Sequence, residues 1–310
     1  MIKKKWIIDT NLREDVVPVI FLAKSLEASL EGLTLVQWRE NDPDGSLRRA
    51  LEKNWPGLAV CPGVERPLLK KTERLGSLRK GFEEQGEGTG AAPPVRHAVD
   101  HMIRLLEVGD EPLDILCLGP LTNLALLLRT RPDLKERIGR VVFRGGAVFG
   151  GEVTAVAENN VYSDPEAAEI VFRAGLDFSI IPLEIAASAV LSDDDTDLLN
   201  TSWEEAEKVF ARAVQDYPGS FEGVSGTGRI LHSLLACLYL DDPDGFQVEQ
   251  HNVKVDLTGQ YTRGSTVIDL LDYTQDPKDC SVVRGLREGT FRNLLTARLH
   301  DGNSGPQRRQ

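Results

Sequence analysis

Apolar positions in the first part of the chain fall into two kinds of run. Trp6-Ile-Ile-Asp9, Gly32-Leu-Thr-Leu-Val36 and Leu58-Ala-Val-Cys61 are short and continuous, with the length and composition of buried strands. Over residues 16–30, by contrast, Val17, Ile20, Phe21, Leu22, Leu26 and Leu30 recur at helical spacing, and residues 46–53 suggest a second helix. This β-α-β-α-β opening predicts a parallel sheet with helices on its faces. The alternation continues with a helix over 96–108, a strand over 113–118, a helix over 121–129, a strand over 140–143, a helix over 165–174 and a strand over 177–182. Beyond Leu191 helices are predicted over 195–199, 203–217 and 230–240. Residues 253–257 and 265–269 read as a late antiparallel pair.

Two stretches break the rhythm. Residues 72–94 are rich in Lys, Arg, Glu and Gly and read as a mobile loop. The segment after Leu299 carries Gly302, Gly305 and Pro306 and is expected to be a flexible tail over 300–310. No repeat or linker divides the rest, so 1–299 is read as one α/β domain. Its expected core is a mostly parallel, Rossmann-like central sheet with flanking helices and a helical C-terminal part.

Composition narrows the function classes. A chain of 310 residues with 41% hydrophobic and 27% charged residues has an ordinary globular balance. The net charge of -12 argues against nonspecific binding to nucleic acid or to an anionic membrane. No run approaches the roughly 18 apolar residues of a membrane span, and Met1-Ile-Lys-Lys-Lys-Trp-Ile-Ile-Asp9 is not a secretory signal. Cys61, Cys117, Cys237 and Cys280 form no CxxC pair, which suits a reducing compartment and an intracellular, cytoplasmic protein.

In a parallel sheet, ligands bind beyond the carboxyl ends of the strands. The polar residues expected there are Asp9, Asn11, Glu14 and Asp15 after the first strand, and Thr122 and Asn123 after the strand ending at Leu118. Glu158 and Asn160 follow the Gly145-Gly146 turn, and His232 stands near the start of a later helix. Oxygen-rich groups of this kind suit hard cations or sugar hydroxyls, and an imidazole beside them could protonate a leaving group. Each group also has a plain structural role open to it: helix caps for Asp9 to Asp15, a turn for Glu158 to Asn160, a structural histidine at 232, and an N-cap before a first-turn proline at Asp164-Pro165.

The order of the motifs resembles the nucleoside hydrolases. Asp9-Thr-Asn-Leu-Arg-Glu-Asp15 stands where that family has Asp-Thr-Asp-Pro-Gly-x-Asp-Asp, and Cys61-Pro-Gly-Val-Glu-Arg-Pro-Leu68 where it has Pro-Gly-Ala and Pro-Leu. Gly119-Pro-Leu-Thr-Asn123 matches in full. Arg144-Gly-Gly146 replaces Met-Gly-Gly, and Ala157-Glu-Asn-Asn160 with Asp164-Pro-Glu-Ala-Ala168 replaces Ala-Glu-Phe-Asn and Asp-Pro-Glu-Ala-Ala. His232-Ser233 replaces a His-Asp pair, and Thr262-Arg-Gly264 is retained. The likeness spans about residues 6 to 295 and implies the nucleoside hydrolase fold.

It also implies cleavage of an N-glycosidic bond through an oxocarbenium-like state. Calcium would be held by aspartates of the first motif, a threonine carbonyl and the late aspartate; here those positions are Asn11, Asp15, Thr122 and Ser233. With one residue deleted in the turn, Glu14-Asp15 takes the place of the Asp-Asp pair, so that Glu14 or Asp15 would be the base and His232 the acid. Glu158 and Asn160, with Glu152 and Arg144 beside them, would contact the ribose of a ribonucleoside. A homo-oligomer, or a subunit of a larger assembly, is implied on the same footing.

The departures fall on the metal site. Asn11 and Ser233 are neutral where the family has carboxylates. Losing two charges around a divalent ion weakens binding by several kcal/mol, on the order of a thousandfold. Arg39 and Arg144 add positive charge, and a guanidinium could take the cation position or bind an anion. The expectation is an eroded calcium site in a protein retained as a binding or structural subunit, with no cofactor. The other reading is an active, calcium-dependent N-ribohydrolase.

Overall fold

The computed structural model describes residues 4–12, 19–20, 22–23, 29–37, 39, 45–55, 57–69, 96–192, 228–287, 291 and 293–295. Most of the helix expected over 16–30, the loop at 72–94, the helices at 195–199 and 203–217 and the tail after 299 lie outside these residues.

The strands are β1 (Lys5–Thr10), β2 (Ser29–Leu35), β3 (Val60–Pro62), β4 (Leu113–Cys117), β5 (Ile138–Arg144), β6 (Asp177–Ile181), β7 (Val190–Ser192), β8 (Gly228–Ile230), β9 (Phe246–His251), β10 (Val253–Val255), β11 (Thr266–Ile268) and β12 (Cys280–Leu286). The described helices are α1 (Ser46–Asn54), α2 (Ala98–Val108), α3 (Thr122–Thr130), α4 (Asn159–Ser163), α5 (Pro165–Phe172), α6 (Leu183–Ala186) and α7 (His232–Asp241). Eight strands form one sheet in the order β3-β2-β1-β4-β5-β6-β12-β9. Every pairing in it is parallel except that of β12 with β9. The fold is therefore the α/β class that the apolar rhythm predicts. Two short antiparallel pairs, β10–β11 and β7–β8, lie outside the sheet.

Alternation along each strand distributes its side chains to two cores. On one face Trp6, Ile8, Leu33, Leu35 and Leu116 pack with Leu234, Leu235 and Leu238 of α7. On the other Ile7, Ile115, Val141 and Phe143 pack with Met102, Leu106, Leu124, Leu127 and Val171. Helix α7 is buried from Ser233 to Leu240, so it carries an apolar run rather than an amphipathic stripe.

Several elements differ from expectation: strands β7, β8 and β12 are not given by the apolar pattern, and Ile230 lies in β8 rather than in the helix expected from it. Leu30 closes no helix; it lies in β2, because the β2 ladder starts early, with the Ser29 N–H donating to the Lys4 carbonyl at 2.8 Å. Strand β9 escapes pattern reading because Gln247 to Gln250 are exposed on an edge strand and show no buried alternation.

The strand order reverses at β1, which has β2 on one side and β4 on the other. The crevice beyond the carboxyl ends of these strands is the expected ligand position of such a sheet. It receives Asp9 to Leu12 from β1 and Gly119 to Asn123 from β4.

Candidate functional site

At the end of β1, Asp9 is fully buried. Its Oδ1 accepts from Thr34 Oγ1 at 2.7 Å and from Asn123 Nδ2 at 2.8 Å. Its Oδ2 has no hydrogen-bond partner among the described residues. Burial outweighs both donors and pushes the carboxyl up to about 7. Asn123 works as a staple across three strand ends: Nδ2 also donates to the Leu35 carbonyl at 3.0 Å, and Oδ1 accepts from Val64 N–H at 3.0 Å. Beyond Asp9 the backbone is strained. Leu12 has φ 55 and Gln37 has φ 44, left-handed values that cost non-glycine residues about 1–3 kcal/mol and cluster at ligand sites. The β4 loop approaches β1 closely here, since a Cβ on Gly119 would sit 2.8 Å from the Asn11 nitrogen.

A second network centres on Glu158. Its Oε2 accepts from the N–H groups of Gly146 (3.1 Å), Asn160 (2.9 Å) and Val161 (3.1 Å), which makes Glu158 the N-cap of α4. Its Oε1 accepts from Arg144 Nη1 at 2.9 Å in an ion pair whose two side chains are almost wholly buried. Burial raises the carboxyl pKa, the Arg144 charge opposes that, and the Glu152 charge reinforces it. Asn160 Nδ2 donates to the Arg144 carbonyl at 2.8 Å and the Leu118 carbonyl at 3.3 Å, joining the ends of β5 and β4. Arg144, Glu158 and Asn160 thus converge beside the β1–β4 crevice.

Between the two networks, Thr122 Oγ1 donates to Asp164 Oδ2 at 2.7 Å and accepts from Gln37 Nε2 at 3.2 Å. Asp164 also accepts from Leu68 N–H at 3.0 Å and caps α5 through Ala167 N–H at 3.1 Å, as its place before Pro165 suggested. Burial raises its pKa, and the Thr122 hydroxyl is the main opposing influence.

The remaining residues singled out in the sequence are placed as follows. Asn11 and Ser233 are buried, and His232 is half-buried at the first position of α7. Glu152 is exposed, with Oε1 accepting from Asn159 N–H at 3.3 Å. Arg39 is exposed and paired with Glu65. Glu14 and Asp15 lie outside the described residues. Asp9 and Asn123, expected at the strand ends, and Asp164, expected as an N-cap, complete the networks; Gln37 carried no signal in the sequence.

At the family's metal positions the described residues are neutral, and Asp15 lies outside the described residues. Asn11, Thr122 and Ser233 are 5%, 0% and 4% exposed and offer only neutral oxygens. No group of three His, Cys, Asp or Glu among the described residues could hold a metal ion. Of the first motif, the described residues include one carboxylate, Asp9, whose Oδ2 has no hydrogen-bond partner among them.

Comparison with known proteins agrees with this architecture. The family described as inosine-uridine preferring nucleoside hydrolase matches residues 7–293. The pyrimidine-specific ribonucleoside hydrolase RihA of Citrobacter koseri is 29% identical over 296 residues, covering 92% of this chain and 94% of its own. Among solved structures, an inosine-guanosine nucleoside hydrolase superposes with a TM-score of 0.77 at 25% identity, covering 96% of this chain and 99% of its own. A purine-preferring ribonucleoside hydrolase from Gardnerella vaginalis gives 0.75 at 25% identity, with the same coverage. With the match spanning nearly the whole chain, the protein belongs to the inosine-uridine preferring nucleoside hydrolase family.

Proposed function

We propose that this chain binds a ribonucleoside or related riboside at the carboxyl ends of β1, β4 and β5, with calcium-dependent hydrolysis impaired, and serves as a binding or structural subunit. The observation that carries the reading is the buried Arg144–Glu158 pair beside neutral Asn11, Thr122 and Ser233. The Arg144 guanidinium is always protonated and adds a buried positive charge at the carboxyl end of β5. Glu158, the acceptor that the resemblance assigns to ribose, already takes four hydrogen bonds. The relatives are named for pyrimidine and for purine nucleosides alike, so the reading stops at ribose.

The second reading is an active N-ribohydrolase. It is favoured by the retained Asp9, Thr122, Asn123, Glu158, Asn160 and His232 and by the similarity to hydrolases along the whole chain. In that case Glu14 or Asp15 would be the base and His232 the acid. Calorimetric titration with inosine and uridine, in calcium and in chelator, tests the proposal. It predicts binding that is equal in both conditions. Binding seen only with calcium favours the second reading, and no binding in either condition contradicts the proposal.

A further inference from the structure

The β10–β11 hairpin makes contacts that the site networks do not use. Its connecting turn contains the retained Thr262-Arg-Gly264. The turn is closed on itself: Asp256 accepts from Thr258 N–H at 3.0 Å, Gly259 N–H at 2.8 Å and the Thr262 hydroxyl, while Gly264 N–H donates to the Asp256 carbonyl at 2.7 Å. From this frame the hairpin reaches outward to the segment that bears Glu158.

Four contacts connect them. Arg263 Nη2 donates to Glu166 Oε1 of α5 at 2.7 Å, while Nη1 holds the Leu257 carbonyl of its own turn. Gly264, at φ +81, lies against α4, where an added Cβ would stand 3.0 Å from both Cα and Cδ2 of Tyr162. Val255 N–H donates to Glu169 Oε2 of α5 at 3.0 Å. Thr266 Oγ1 donates to the Ala147 carbonyl at 2.6 Å and accepts the Ala147 N–H at 2.9 Å. The hairpin therefore grips residue 147 on one side of Glu158 and residues 162, 166 and 169 on the other.

Helix α4 has five residues. Helices shorter than about 12 residues are not stable by themselves in water, so packing must place this one. The Glu158 acceptor geometry depends on both gripped parts, because its Oε2 bonds Gly146 N–H from one and Asn160 and Val161 N–H from the other.

We infer that the hairpin is a strap that sets the position of the Glu158–Asn160 segment, with Arg263 and Gly264 as positioning residues of the ligand site. The functional half of this inference rests on the riboside-binding proposal; the structural half does not. Arg263 acts through Glu166 and α5 on the N-terminus of α4.

The test is amide hydrogen exchange on the ligand-free full-length protein, followed by nucleoside calorimetry. Losing one charged hydrogen bond corresponds to about a tenfold or larger change in a local equilibrium. In R263M, exchange at Asn160 and Val161 should therefore accelerate about tenfold, while Leu124 to Leu127 of α3 stay at the parent rate. R263K, which can still reach Glu166, should restore most of the protection. Inosine or uridine affinity should fall with the protection and return with R263K. If R263M does not fold, E166Q gives the same reading, with a smaller but equally local acceleration. Unchanged exchange at Asn160 and Val161, or acceleration shared equally with α3, overturns the inference. A parent protein that binds no nucleoside would overturn the riboside proposal, while the exchange data would still decide the strap.

Discussion

Replacing Arg144 by methionine removes the cation from the centre of the site. The guanidinium is 3% exposed and Glu158 is 1% exposed. R144M leaves the carboxylate with three N–H donors, from Gly146, Asn160 and Val161. Deleting one partner of a buried pair costs about 3–5 kcal/mol when the other stays charged. The remaining donors, and the carboxyl's option to take a proton, place the expected loss near ~3 kcal/mol, or roughly 5–10 °C in melting temperature. The loss has a pH signature. Burial raises the Glu158 pKa and Arg144 opposes the rise, so the substitution raises it further. A carboxyl with a raised folded pKa binds its proton more tightly in the native state, so its contribution to stability falls as pH increases. The deficit of R144M should be smallest below about pH 4, the unfolded glutamate value, and should grow as pH rises through the folded pKa. Thermal unfolding followed by circular dichroism across that range reads both effects. A variant as stable as its parent at neutral pH, or a deficit independent of pH, would refute the assignment of Arg144 as the charge partner of Glu158.

Asp9, with a folded pKa of about 7 against an ordinary 3.8, should destabilise the fold as pH rises between those values. The difference of roughly 3 pH units corresponds to ~4 kcal/mol, so D9N should gain about that much relative to the parent between pH 4 and 7 in denaturant titrations. T122V removes the hydroxyl that donates to buried Asp164 and should cost about 1–3 kcal/mol by the same measurement, with a further rise in the Asp164 pKa. Among the four buried cysteines, Cys117 and Cys237 have thiols pushed up by burial. Both should stay unmodified by iodoacetamide in the folded protein at neutral pH and react only after denaturation.

Much of the fold was legible because burial on both faces writes strands β1, β2 and β4 to β6 as continuous apolar runs. The β10–β11 pair and the capped start of α5 were legible for local reasons, alternation in one and Asp164-Pro165 in the other. Edge strand β9 was not, since its exposed residues obey solvent rather than a core. The site was legible as an order of motifs but not as a network. Glu158 reads as part of a polar turn until α4 is seen to start on it, and its partner Arg144 lies on the end of a different element. Asn123 reaches Asp9 across 114 positions of sequence, a juxtaposition that only the parallel sheet order creates. Arg39 and Arg144 looked alike as added charges. Exposure separates them, because one is on the surface with Glu65 and the other is inside with Glu158.

The central claim is that this member of the family holds a riboside without the calcium chemistry. Ribose release from inosine and uridine, measured as reducing sugar with calcium and with chelator, tests it most directly. The account predicts no release above the uncatalysed background in either condition, from protein that binds the nucleoside by calorimetry. Release that requires calcium and saturates with nucleoside would contradict it.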